Sequence, residues 1–175
     1  MAESDKQEKG KSKATEIKIF PVPFALDEIK ENSSINTKSL FKPSQEQIIN
    51  QALQFHSQGN ISEAAKYYKY FITQGFKDQS VFSNYGIILK NIGKLKEAES
   101  YTRKAIEVQP GFADAHSNLG NILRDLGKLK DAELSTRKAI AIKPDYADAY
   151  SNLGTILRNL GNLKDAEVST RKAIE

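Results

Sequence analysis

Four asparagines stand 34 residues apart, at Asn50, Asn84, Asn118 and Asn152, and a cation follows each of the last three at Lys90, Arg124 and Arg158. A carboxamide offers both a donor and an acceptor, so a row of them can pair with successive backbone amides of an extended polypeptide whatever its sequence. The basic row beside it would favour acidic or carboxylate-bearing ligands. The competing reading of the asparagines is a polar residue copied along with a repeat. Other candidates for chemistry are weaker. His56 and His116 have no serine, carboxylate or second histidine at a spacing suited to metal ligation or nucleophilic catalysis. Acidic residues such as Asp131 and Glu133 recur as solvated helix starts, where they favour the positive end of the helix dipole. The glycines also recur at the 34-residue spacing and follow no strand, so they form no phosphate-cradling loop. No catalytic residue, metal site or cofactor is expected; these residues point to the binding of another polypeptide.

The same spacing organises the chain. Gly86, Gly120 and Gly154 fall in register, as do Gly59, Gly93, Gly127 and Gly161, then Ala64, Ala98, Ala132 and Ala166. Residues 113–141 and 147–175 share 23 of 29 positions, and 79–107 shares 17 of 29 with 147–175. Such self-similarity marks a stack of small units rather than one continuous core. The units are 45–78, 79–112, 113–146 and an incomplete 147–175. Within the third, Ala115, Leu119, Ile122, Leu123 and Leu126 return at three- and four-residue steps, which predicts one helix with a single buried face. Gly127 ends it, and Lys128 and Leu129 make a tight turn. Ala132, Ala139, Ile140 and Ile142 predict a second helix, which Pro144 closes. Gly120 and Ala132 are small because the two antiparallel helices must approach closely where they cross.

This pattern resembles the tetratricopeptide-repeat (TPR) family, whose 34-residue unit carries a large apolar residue at position 4, Leu-Gly at 7 and 8, Ala at 20 and 27 and Pro at 32. In the third unit these places hold His116, Leu119, Gly120, Ala132, Ala139 and Pro144. The resemblance covers residues 45–175 and implies an all-α solenoid of antiparallel helix pairs wound as a right-handed superhelix. Position 24, aromatic in the family, is Thr102, Thr136 and Thr170 here, which predicts thinner packing. The first unit diverges most, with Ala52 in the glycine place, Phe71 for the alanine and Phe76 for the proline. In the family, positions 2, 5, 6, 9, 12 and 13 of the first helix face a ligand in a concave groove. That register places the asparagines at position 6 and the basic row at position 12. The SNLGNIL wording and the asparagine row are similar to the repeat arm of O-linked N-acetylglucosamine transferases. The lysine-and-asparagine carboxylate clamp of chaperone-binding members is not reproduced, since Ser83, Ser117 and Ser151 stand at position 5. His116, where neighbouring units hold Phe82 and Tyr150, reads as a packing residue; His56 lies on the groove-facing side.

Composition limits the partners. Basic and acidic residues, 26 and 22 in number, are interspersed along the chain, so the net charge of +4 forms no nucleic-acid patch. Cysteine is absent, which suits a cytoplasmic location, and no secretory signal or membrane span is expected. Residues 1–44 read as a flexible segment, polar to residue 16 and then apolar in IKIFPVPFAL. That stretch is either a sticky linker or an internal ligand lying on the first unit or in the groove. Ser44, with Gln47 three residues later, predicts a capped start to the first helix. The fourth unit stops at position 29, so its end is expected to fray from about residue 165 or to associate end to end with another copy. Two functions follow: a stand-alone interaction module holding a peptide in its groove, or the substrate-targeting arm of a larger transferase.

Overall fold

The computed structural model describes residues 43–175, which form eight α-helices: α1 Gln45–Ser57, α2 Ile61–Thr73, α3 Gln79–Asn91, α4 Leu95–Val108, α5 Ala113–Asp125, α6 Leu129–Ile142, α7 Ala147–Asn159 and α8 Leu163–Lys172. No strand occurs among the described residues. The sequence expectations for residues 1–42 lie outside them. The expected capping box at the start of α1 is formed: the Gln47 backbone N–H donates to Ser44 Oγ at 3.2 Å and the Ser44 N–H to Gln47 Oε1 at 2.9 Å. Asp78 caps α3 through one such bond, its carboxylate accepting from the Val81 N–H at 2.9 Å.

Each unit is a helical hairpin closed by a glycine. Gly59, Gly93, Gly127 and Gly161 take φ between 73° and 81°, which a β-carbon would penalise, and so release the chain from the first helix of each pair. The tightest packing lies within the pairs α1/α2, α3/α4, α5/α6 and α7/α8; each second helix then packs on the first helix of the next unit. In addition α3 packs on α5 and α5 on α7, whereas no comparable contact joins α4 to α6 or α6 to α8. First helices that touch and second helices that splay apart place α3, α5 and α7 on the inside of a curve. The concave face therefore belongs to the helices that carry the asparagines.

The core follows the periodicity with two differences. Ala115, Leu119, Ile122, Leu123, Ala132 and Ala139 are buried, but Ile142, the last residue of α6, is 36% exposed. Position 24 is not thinly packed. Thr102 and Thr136 are fully buried, and Thr136 Oγ1 donates to the Ala132 carbonyl at 2.9 Å. A β-carbon on Gly120 would run into Thr136 Oγ1 and lie 3.2 Å from the Ala132 carbonyl oxygen. The pairing of no side chain on one helix with a small hydroxyl on the other brings the backbones together, where an aromatic residue would fill a wider gap. The first unit uses that other solution, with Ala52 and Tyr68 in one cluster that includes Ile48 and Phe71. Helix α8, the last of the described helices, ends at Lys172.

His116 packs as expected. It is 4% exposed, and its Nε2 lies 2.9 Å from the Pro110 carbonyl oxygen, a contact that requires Nε2 to carry the proton and donate. Burial lowers its pKa; the Pro110 carbonyl opposes this and Lys138 adds to it. An imidazole whose folded pKa is depressed stays neutral while the unfolded chain takes up the proton. Stability should therefore fall as pH drops below about 6.5, the ordinary histidine value. Replacing His116 with tyrosine, the residue at the same place in the fourth unit, should remove that part of the pH dependence in thermal melts between pH 7 and 5. Glu99 titrates in a separate window. Its contacts with Lys128 and Arg103 hold its carboxyl below the usual value, so its contribution is lost only at more acidic pH.

Candidate functional site

On the concave face Asn118 and Asn152 share one repeated geometry. Asn118 Nδ2 donates to Ser83 Oγ at 3.0 Å and Asn152 Nδ2 donates to Ser117 Oγ at 3.0 Å. Each bond runs from position 6 of one unit to position 5 of the unit before it. In the first unit position 5 is Ile49, which accepts nothing, and Asn84 Nδ2 reaches Tyr68 OH instead at 3.2 Å. Tyr68 OH also lies 3.0 Å from His56 Nδ1. A three-member chain of His56, Tyr68 and Asn84 thus links α1, α2 and α3.

These bonds revise the sequence reading of exposed groups. Asn84, Asn118 and Asn152 are half-buried, Ser83 and Ser117 are 2% exposed, and Asn50 alone of the four asparagines is exposed. The asparagines therefore help to fix the spacing of successive units. Each uses one amide hydrogen for this and keeps a second N–H and its carbonyl oxygen. The serines at position 5 were legible as the absence of a carboxylate clamp; their role as partners was not, since it depends on which helices touch.

The basic row is also less free than its spacing implies. Asp125 lies between two of its members, its Oδ2 3.4 Å from Lys90 Nζ and its Oδ1 2.8 Å from the Arg124 guanidinium. Arg158 is exposed and makes no ion pair among the described residues. A carboxylate thus offsets much of the charge of Lys90 and Arg124, and Arg158 carries the accessible positive charge of the row.

Between α5 and α7 a polar cleft of about 240 Å³ opens on the concave face, lined by Ser117, Asn118, Asn121, Tyr146, Asp148 and Asn152 among others. Asn121 Oδ1 is buried with no hydrogen-bond partner. Burial, then the bond to the Asp114 carboxylate, raises the Tyr146 pKa well above the ordinary phenol value and holds it protonated. Sequence reading passed over Tyr146, which ends one unit and precedes the first residue of α7. Its distance from position 6 along the chain hid its place beside Asn118. Among the described residues no cluster of histidine and carboxylate suits a metal ion, and no helix is long and apolar enough to cross a membrane.

Eight helices in stacked antiparallel hairpins, with first helices inside the curve, define a helical repeat solenoid. Tetratricopeptide-repeat models match residues 80–112 and 101–133, and a TPR-repeat model matches 120–161. The chain is a tetratricopeptide-repeat protein, and its fold is typical of protein–protein interaction modules. No curated protein matches the sequence. Similar solved structures include a crystal structure of MamA, 22% identical with TM-score 0.67, covering 75% of this chain and 77% of that one. MamA from Desulfovibrio magneticus RS-1 is 17% identical with TM-score 0.67, covering 75% and 74%. YrrB, described as a TPR protein with an unusual peptide-binding site, is 21% identical with TM-score 0.65, covering 75% and 68%. At these identities the likeness is one of fold.

Proposed function

We propose that this protein is an interaction module that holds an extended polypeptide along the concave faces of α3, α5 and α7. The observation that carries this is that Asn84, Asn118 and Asn152 are each held by a bond to the preceding unit, the last two in the same geometry. Each carboxamide is pinned by a bond to the preceding unit and presents its remaining N–H and C=O at a regular interval. A group held in one orientation before binding loses less entropy on pairing with a peptide amide than a free surface side chain does. Because backbone groups are read, the ligand class is set by extended conformation more than by sequence. Side-chain preference would come from the edges: Asp114 and Asp148 near the start of the first helices, and Arg158 near the end.

The direct test is a selection of bound peptides from an unbiased library, followed by amide NMR of the complex. The expected result is that ligand addition shifts the side-chain NH₂ signals of Asn84, Asn118 and Asn152. Shifts confined to α4 and α6 would place the ligand on the opposite face and end this reading.

The charge arrangement gives an unequal prediction for the basic row. Replacing Arg158 with glutamine should weaken capture of an acidic peptide by roughly two- to fivefold and flatten its salt dependence, the size of one exposed ion pair. Replacing Lys90 and Arg124 should change affinity less, since Asp125 already engages both. Affinity measured at two salt concentrations checks this, and equal slopes for all variants would make the row a bystander.

A further inference from the structure

A second cleft, of about 550 Å³, lies away from the groove, between the C-terminal ends of α2 and α4. Its lining includes Ile72, Phe76, Phe82 and Val108, with Lys77, Lys104 and Glu107 at the rim. Phe82 is buried, Ile72 and Phe76 are half-buried, and Val108 is 40% exposed, so apolar surface faces solvent here. The next junction cannot form the same floor. Pro110 stands there in place of Phe76 and His116 in place of Phe82, and the two are tied together through the imidazole and the Pro110 carbonyl. Two junctions further along, a cleft of about 450 Å³ has Ile140 and Tyr150 in the places of Ile72 and Phe82; the cleft between α2 and α4 is the nearer of the two to the start of α1.

The chain itself supplies a fitting occupant. Residues 17–26, IKIFPVPFAL, carry six large apolar side chains around two prolines, with Lys18 among them and Asp27 and Glu28 directly after. They connect to α1 at Ser44, on the side of the solenoid where the cleft lies: Ile48 of the first turns of α1 shares one cluster with Phe71 near the end of α2, and Phe76 packs against it. Residues 27–42 can span up to about 50 Å when extended, well beyond the separation of neighbouring helices. A tether of that length holds the segment at an effective concentration on the order of millimolar.

We infer that residues 17–26 of this chain dock in the cleft, with Phe20 and Phe24 against Ile72, Phe76 and Val108. A proline-containing segment suits such a site because it is short of donors and loses little entropy on docking. The groove residues take no part, so failure of peptide capture would leave this inference standing, and the reverse also holds.

The chain has no cysteine, so Thr15→Cys gives a single site for a nitroxide label on the full-length protein. In dilute solution, without ligand, the label is expected to broaden the backbone amide signals of Ile72, Phe76 and Val108 and to spare Asn118 and Asn152. Phe20→Ser with Phe24→Ser should abolish the broadening, and so should Val108→Glu, a change at a partly exposed position whose folding is checked by unchanged signals from α5 to α7. Absence of broadening, or broadening that survives Val108→Glu, overturns the inference. Broadening of the asparagine signals instead would make the segment a groove ligand. Broadening seen only when labelled and isotopically enriched copies are mixed would make the occupant a second copy, and either result also overturns it.

Discussion

Replacing Asn84, Asn118 and Asn152 together with alanine is expected to abolish peptide capture and also to lower the melting temperature. Groups that merely faced solvent would affect binding alone. Here each amide donates to a largely buried hydroxyl in the preceding unit, Tyr68, Ser83 or Ser117. At about 1 kcal/mol per bond the triple variant should lose roughly 3 kcal/mol, or on the order of 6–12 °C in melting temperature. The two effects can be separated. Ser83→Ala with Ser117→Ala removes the acceptors of Asn118 and Asn152 but keeps the carboxamides, so it should cost comparable stability per bond while retaining measurable capture. Capture that persists in the asparagine triple variant would exclude the ladder as the binding device. Capture lost equally in both would mean that the asparagines act only by setting the spacing of the units.

The dual role of these residues shows where sequence reading stops. The helix boundaries near Gly127 and Pro144 and the capping box at Ser44 follow from local rules, because each depends on residues within a turn or two of one another; the 34-residue period and the packing role of His116 are legible by aligning one unit with the next. The asparagine row was legible as a row. Its bonds to Ser83 and Ser117 cross 35 residues of chain, and they exist only because α3 touches α5 and α5 touches α7. Asp125 escaped notice for the same reason: it follows Arg124 in the chain, yet it also reaches Lys90 across the stack. The misjudged packing at position 24 has a different cause. Threonine is smaller than an aromatic residue, but the volume it must fill is set by Gly86 and Gly120 opposite, and those glycines have drawn the helices in.

That close approach predicts an effect of opposite sign to helix propensity. Alanine in place of a mid-helix glycine ordinarily stabilises by roughly 1 kcal/mol. At Gly120 the new methyl would run into Thr136 Oγ1, which is fully buried and bonded to the Ala132 carbonyl, and would also press on that carbonyl oxygen at 3.2 Å. Neither group can move without losing the bond or shifting the backbone, so overpacking of about 1–3 kcal/mol should outweigh the propensity gain. Gly154 provides an internal comparison. It faces Thr170 and the Ala166 carbonyl in the same geometry, but Thr170 is exposed and its hydroxyl can turn into water. Gly154→Ala should therefore cost less than Gly120→Ala, and Thr136→Ala should recover part of the loss at Gly120 by removing the hydroxyl. Because α5 carries Asn118 on its inner face, forcing α5 and α6 apart should also disturb the Asn118–Ser83 and Asn152–Ser117 spacings and weaken capture. Urea unfolding of Gly120→Ala, Gly154→Ala and the Gly120→Ala/Thr136→Ala double variant, each paired with a binding measurement, checks both parts. A Gly120→Ala protein as stable as its parent would show that the hairpin can open at that crossing without loss, and the account of why glycine recurs there would have to be given up.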